Sequence, residues 1–283
     1  MSIVVTGATG NLGRLVVEGL LEKVPADQVT AVVRSAEKAA DLAGRGVRIA
    51  VADYTAPETL HGLFSTGDKV LLVSSPEFEG RFGKHRAVLD AARAAGVALF
   101  AYTSALSALS SSLADDHRET EAAIIASGLP YVLLRNGWYN ENYTEQLAPV
   151  LEYGVVTQAA GEGRVAAAAR ADYAAAAVAV LTGEGHEGRA YELSGDTAFG
   201  FADYAAELSR QTGREIGYNA VSAEAFTGIL TGAGLSAQVA AILVDVEASI
   251  AKGEMAGTPG ELSRLIGRST TPIGDSITVA LKN

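Results

Sequence analysis

The chain has 283 residues, 48% hydrophobic and 19% charged, with a net charge of −11, no cysteine and four histidines. The lack of cysteine excludes disulfides, thiolate metal centres, iron–sulfur clusters and cysteine nucleophiles, and the scattered histidines form no close ligand pair, so no metal is expected. The acidic surface disfavours nucleic acid, no apolar run approaches the about 18–20 residues of a membrane span, and no basic leader opens the chain, so a cytoplasmic monomer or homodimer is expected.

Ile3-Val4-Val5 reads as a strand, Thr6-Gly7-Ala8-Thr9-Gly10-Asn11-Leu12-Gly13 as a glycine turn, and Leu15, Val16, Gly19, Leu20 and Leu21 as one face of a helix. That order opens a dinucleotide-binding unit. Gly7 allows a sharp turn, Gly10 a close approach of pyrophosphate, and Gly13 close packing of helix on strand. The N–H groups at the helix start then face the phosphates. A tight turn that binds nothing is the alternative, and the flanking strand and helix argue against it.

Further strands are predicted at 29–33, 47–51, 69–73, 98–102 and 131–135. Helices are predicted at 37–43, 86–95 and 118–127, with Gly96 and Gly128 as C-terminal caps. Nearly continuous apolar strands alternating with helices mean a parallel sheet covered on both faces. The expected class is therefore α/β, a Rossmann-type doubly wound parallel sheet with a smaller, mainly helical C-terminal part. The first part spans 1–137, with a strand near 191–195 returning to its sheet. The second, 138–283, is expected to cover the substrate. It reads as a helix from Trp138 to Glu152, a short strand at Val155-Val156, an alanine-rich buried helix at 170–181, and helices at 201–212, 223–233 and 236–252.

The second strand ends in Val33-Arg34-Ser35, with no acidic residue from Thr30 to Ala36. A carboxylate there would select NAD, whereas Arg34, with Lys38 a turn later, suits the 2′-phosphate of NADP(H). A solvated surface arginine is the alternative. Asp53-Tyr54 ends the third strand, where Asp53 either meets the adenine or merely forms a turn. Ser74-Ser75-Pro76 follows the fourth strand and is placed to line the ribose and nicotinamide.

None of the ten tyrosines has lysine four residues later, so the Tyr–Lys proton donor of ordinary carbonyl reductases is missing. His117 and Glu121 hold the i, i+4 pair at that place in the fold. Either the chain only senses its cofactor, or its substrate accepts hydride without a strong acid. Quinones and delocalised cationic dyes fit the second case, because catalysis then reduces to holding a flat ring against the nicotinamide. No flavin is needed for that. His117 is the one candidate weak acid, unless it is only a polar residue at a helix start. The segment Arg135-Asn136-Gly137-Trp138-Tyr139-Asn140-Glu141-Asn142-Tyr143 carries the only tryptophan. Asn136, Tyr139 and Tyr143 are candidates for positioning the substrate; Trp138 either joins them or packs helices.

These segments, together with Ala101-Tyr102-Thr103-Ser104, Arg170-Ala171-Asp172-Tyr173 and Leu265-Ile266-Gly267, stand in the order found in the NmrA-like atypical short-chain dehydrogenases, which the chain resembles almost end to end. Within that family it is most similar to the bacterial quinone-reducing branch, and less so to the branch that reduces triphenylmethane dyes. The resemblance implies NADP(H) held by Gly7, Ala8, Thr9, Gly10, Asn11 and Leu12, by Arg34 and by Ser74, Ser75 and Pro76. It also implies contacts from Asn136, Gly137, Trp138, Tyr139, Asn140, Glu141 and Arg170, and a small quinone as substrate. Two positions depart from the pattern: Asn11 replaces the commoner glutamine, and Pro76 a serine. Residues 105–113 are where relatives differ and are expected to border the substrate.

Overall fold

Short runs of β-branched and aliphatic residues form the strands β1 (Ile3–Val5), β2 (Val29–Val33), β3 (Arg48–Val51), β4 (Lys69–Leu72), β5 (Leu99–Ala105) and β6 (Tyr131–Asn136). With Arg189–Leu193 they make a seven-stranded sheet in the order β3-β2-β1-β4-β5-β6 and then Arg189–Leu193. Every pairing in it is parallel. The computed structural model describes residues 2–77 and 79–282, with Ser112 described by its main chain only. The helices of this part are α1 (Asn11–Leu21), α2 (Ala40–Gly44), α3 (Arg81–Ala95) and α4 (Asp115–Ala126).

Residues up to Asn136, together with Ala171–Leu193, form one compact unit. On one face of its sheet Val88, Leu89 and Ala92 of α3 and Ile124 of α4 pack against Val70, Leu72, Phe100, Tyr102 and Leu133. Elsewhere in the unit α1 meets the helix Arg170–Thr182, where a Cβ on Gly19 would lie 3.0 Å from Val178 Cγ2. Small residues bring these two helices close. Ala174, Ala176 and Ala177 of the second helix are buried.

α3 begins at Arg81, five residues before the predicted start. Gly80 stands before it in the left-handed region at φ 63°, and Gly83 lies inside its first turn; these glycines hid the helix start from the sequence. α3 ends as expected on Gly96, at φ 67°.

The second unit, Gly137–Arg170 with Ser194–Asn283, is mainly helical. Its helices are Glu141–Thr144, Leu147–Tyr153, Phe201–Thr212, Ala223–Gly232, Ala237–Ala251, Glu261–Ile266 and Ile273–Ala280, and two small sheets pair Val155–Gln158 with Gly217–Ala220 and Arg164–Val165 with Phe199–Gly200. The single helix expected over 138–152 is two short ones. Trp138–Asn140 is non-helical because Tyr139 bridges to Ala168. Pro149, which has no N–H for the carbonyl of Glu145, falls in the first turn of Leu147–Tyr153.

Candidate functional site

The sheet order reverses between β1 and β4, and ligands of such sheets lie beyond the carboxyl ends of the strands at that point. Both ends are followed by turns. After β1, Gly7 adopts φ 59° and accepts from the N–H of Gly10 at 2.9 Å. A Cβ on Gly13 would lie 2.3 Å from Gly7 O and 2.8 Å from Gly7 C. Gly13 therefore lets the first turn of α1 close onto the glycine turn itself, rather than onto the strand as the sequence suggested. α1 starts at Asn11 with no side-chain cap on its N–H groups and no acidic residue in its first turn. The turn and helix start thus fit a phosphate, a group that takes up orphan N–H donors and is favoured by the helix dipole.

After β4, the turn is tied down through its main chain. Val73 N–H donates to Thr6 Oγ1 at 3.0 Å, Ser74 N–H to Thr103 Oγ1 at 2.8 Å, and Ser75 N–H to His85 Nε2 at 3.0 Å. Ser75 Oγ in turn accepts from Glu77 N–H at 3.2 Å. Pro76 is exposed at the outer end of this turn.

Arg34 leaves the end of β2 with 76% of its side chain exposed and meets Glu77 at 3.3 Å. The Lys84 ammonium meets the same carboxylate and also donates to Glu79 O at 3.0 Å. Lys84 first, then Arg34, holds the Glu77 carboxyl below its ordinary range. Two cations thus converge on one anion, a fit for a phosphate dianion in place of that carboxylate. Lys84 was invisible to the sequence reading because it fell in the first turn of α3. Lys38, the second cation expected there, is exposed on the short 3-10 helix Ala36–Ala39.

The pair after β3 is placed differently from expectation. Asp53 folds back to accept from Thr55 N–H at 2.8 Å and Thr55 Oγ1 at 2.7 Å, the turn-forming alternative, and those bonds hold its carboxyl low. Tyr54 is half-buried, and burial raises its pKa.

At the place of the missing acid, His117 Nδ1 lies 2.7 Å from the Tyr102 hydroxyl. Burial, and then Arg81, lower the His117 pKa to about 4. An imidazole so placed is neutral at neutral pH, which speaks against its use as a charged acid. Burial likewise raises the Tyr102 phenol well above its usual range. Glu121 accepts from Ser104 Oγ at 2.6 Å and from Arg135 Nε and Nη2 at 2.9 and 2.7 Å. Arg135 Nη1 reaches Glu192 at 2.8 Å. Together these groups form a largely buried ionic lattice. Among the described residues no cluster of His, Asp and Glu could hold a metal ion, and no helix is long and apolar enough to cross a membrane.

Asn136 ends β6, 9% exposed, with its carbonyl accepting from Leu106 N–H at 2.9 Å. In the second unit, Trp138 O accepts from Ala168 N–H at 3.2 Å and Asn140 N–H donates to Ala168 O at 2.9 Å, which holds Trp138 and the half-buried Tyr139 in an extended strip. The Arg170 guanidinium stands 5.3 Å over the Tyr139 ring and pairs with Glu145 at 2.9 Å. Both Glu141 carboxylate oxygens accept the Arg170 N–H at 2.9 Å, so Glu141 caps the helix Arg170–Thr182. Asn140 Nδ2 donates to Thr271 O and Ser276 Oγ, both at 3.0 Å. Glu141 and Asn140, both expected at the cofactor, thus also hold the local chain in place.

Tyr143 lies among the aromatic rings of the second unit. Its ring is 8% exposed and stacks edge-on with Phe199 and Phe201 at 5.8 and 5.4 Å. Burial keeps its phenol protonated far above the usual range.

Residues 7–184 match the family model described as NAD(P)H-binding. The chain is 45% identical to quinone oxidoreductase 2 of Escherichia coli over 277 residues, 97% of each chain. It superposes with a TM-score of 0.96 on the crystal structure of that bacterium's NADPH-dependent quinone oxidoreductase QOR2 complexed with NADPH, at 44% identity and covering 99% and 100% of the two chains. Against triphenylmethane reductase of Citrobacter sp. complexed with NADP(H) the TM-score is 0.95, at 39% identity and the same coverage. The chain belongs to the NAD(P)H-binding family, among its NmrA-like, atypical short-chain reductases.

Proposed function

We propose that this protein reduces quinones with NADPH by direct hydride transfer, without a flavin. The observation that carries the reading is the likeness to a quinone oxidoreductase, 45% identical along 97% of both chains, which runs far beyond the cofactor turns. NADPH supplies two electrons as hydride when bound. The glycine turn and the start of α1 take the pyrophosphate, and Arg34 with Lys84 takes the 2′-phosphate once Glu77 is displaced. Ser74, Ser75 and Pro76 line the nicotinamide ribose. In the first unit Asn136 is the residue assigned to orienting the substrate; in the second, Tyr139 is assigned that role, with Arg170 over one face of its ring. Gly137 and Trp138 carry the chain past the cofactor. No side chain supplies a strong acid, because His117 and Tyr102 are neutral and bonded to each other and Glu121 is locked to Arg135 and Ser104. A quinone suits such a site, since the anion it forms on taking hydride is a stabilised phenolate that water protonates.

A second reading, reduction of cationic triphenylmethane dyes, shares this chemistry and is favoured by the 0.95 superposition on a dye reductase. NADPH oxidation, followed by its near-ultraviolet absorbance with benzoquinone or a dye as acceptor, separates the two. Arg34→Ala should weaken NADPH binding about tenfold to a hundredfold, the loss of a charge-assisted phosphate contact, and leave NADH binding within about twofold. Equal losses for both cofactors would sink the 2′-phosphate assignment, and tight NADPH binding with no turnover of any acceptor would favour a cofactor sensor.

A further inference from the structure

Three consecutive N–H groups of the turn after β4 donate to side chains from three different elements: Thr6 after β1, Thr103 in β5 and His85 in α3. The first two acceptors are hydroxyls beside their own strands. His85 is different, because an imidazole nitrogen accepts only in one tautomer. We infer that His85 is a positioning residue for NADPH: its imidazole, fixed in a single tautomer, holds the main chain of Ser75 in the turn that lines the nicotinamide ribose. The inference rests on the cofactor reading above.

The tautomer follows from the backbone at both ends of a short chain of hydrogen bonds. Ser75 N–H can only donate, so Nε2 carries the lone pair and Nδ1 the proton. Nδ1 lies 3.1 Å from Thr120 Oγ1, whose own hydroxyl donates to Asp116 O at 2.7 Å. Thr120 therefore has its oxygen available to accept from Nδ1. The Tyr102 hydroxyl is 3.3 Å from the same Nδ1 and 2.7 Å from His117 Nδ1. Its single proton goes to the nearer nitrogen, which leaves its oxygen as a second acceptor for His85. Each proton direction is set, and none requires a charge.

The groups facing His85 keep it so. The ring is fully buried and packs edge-on to Tyr102 at 5.3 Å. His117 lies beyond Tyr102, Arg81 is one turn earlier on α3 with Asp116 at 3.9 Å as its counter-ion, and Lys84 is adjacent. Burial, then His117, Arg81 and Lys84, all oppose a second proton on the ring and lower its pKa to about 3. Nε2 therefore stays an acceptor for Ser75 at every pH at which the protein would work. A serine or threonine at this position of α3 would not reach the turn, and a lysine or arginine could not accept.

Two variants split the ring's two bonds. In His85→Gln the side-chain amide oxygen falls near the place of Nε2 and can still accept from Ser75. In His85→Asn the amide sits near Nδ1 and Ser75 loses its acceptor. The readout is the NADPH dissociation constant from quenching of the single tryptophan, Trp138, with KM and kcat measured beside it. H85N should raise the Kd and KM for NADPH about tenfold, the effect of one buried donor left unpaired. It should leave the KM for benzoquinone and kcat at saturating NADPH within about twofold. H85Q should restore NADPH binding to within about twofold of wild type. Wild-type binding by H85N, or equal loss in H85N and H85Q, overturns the inference. If H85N does not fold, the double variant Thr120→Val, Tyr102→Phe, which removes both acceptors of Nδ1, should raise the Kd about threefold, and an unchanged value overturns the inference. A wild-type protein that neither binds NADPH nor turns over benzoquinone would instead overturn the proposed function.

Discussion

Glu121→Ala tests whether the ionic lattice behind the site is structural. Glu121 is 1% exposed and Arg135 9%. Removing the carboxylate strips two hydrogen bonds from the guanidinium and one from Ser104, leaving Arg135 with Glu192 at 2.8 Å. Deleting one member of a buried ion pair costs about 3–5 kcal/mol, because the remaining charge has already lost its water. Glu192 still faces Arg135, so the lower end, about 3 kcal/mol, applies. In a chain of this size each kcal/mol lowers the melting temperature by about 2 °C, so Tm should fall by about 6 °C. Urea titration followed by circular dichroism gives the free energy directly. The double variant Glu121→Met, Arg135→Met removes both charges and should stay within about 1 kcal/mol of wild type, with Glu192 still accepting from Ser107 N–H at 2.8 Å. A loss below about 1 kcal/mol for Glu121→Ala would mean that the pair behaves as a solvated surface bridge, and the reasoning would fail.

Gly13→Ala should raise the Kd for NADPH at least about tenfold, since its Cβ would meet Gly7 O at 2.3 Å and the obstructing atoms are backbone. Gly83→Ala, with open space around its Cβ inside α3, should instead stabilise the fold by about 0.5–1 kcal/mol without changing NADPH binding; the two substitutions are compared by titration and thermal melting. In the second unit Glu247 accepts from Ala159 N–H at 2.8 Å, yet burial outweighs its main-chain donors and raises its pKa from 4.5 to about 7. The folded state then holds a proton that the unfolded chain releases, so this stability is fully present below about pH 4.5 and is lost as pH rises through 7; it amounts to about 3 kcal/mol. Glu247→Gln keeps the acceptor without the charge, and it should match wild type at about pH 4 and exceed it in urea denaturation at about pH 8; equal stability of the two proteins at the higher pH would refute the assignment.

Much of this was legible in the sequence because the fold's signals are local. A strand, a glycine turn and a helix announce themselves within the first 21 residues, and strands buried on both faces are continuous apolar runs. The place of Arg34 was legible for the same reason, since it follows directly on the apolar run of β2. What was hidden depends on partners far along the chain. Nothing near Tyr143 tells that its ring joins Phe199 and Phe201. Lys84 and His85 were lost to a local error, since Gly80 and Gly83 masked the first turn of α3. The short helices Glu261–Ile266 and Ile273–Ala280 have too few turns for a periodic signal.

The proposed chemistry turns on a site that supplies no strong proton donor. In the first unit the groups standing where a reductase would keep its acid are all committed. Tyr102 donates to His117, His85 accepts from Ser75, and Glu121 holds Arg135. With folded pKa values near 3 and 4, His85 and His117 stay neutral from about pH 5.5 upward, while Tyr102 ionises far above that range. None of the three changes charge between pH 5.5 and 8, so kcat for benzoquinone should be flat across that window. His117→Ala should lower kcat by less than about threefold, against the 10²–10⁴-fold that removal of a general acid costs. The lowered histidine pKa values have a separate consequence for stability. The unfolded chain binds their protons near 6.5 and the folded one does not, so stability is lost as pH falls from about 6.5 toward 4. Turnover and stability should thus part company at mildly acidic pH, where the protein weakens before its rate per folded molecule changes. A kcat that instead rises or falls tenfold with a midpoint near neutrality, together with a several-hundredfold loss in His117→Ala, would mean that a true acid operates, and that the neutral chain from Ser75 to His117 is not its resting state during turnover.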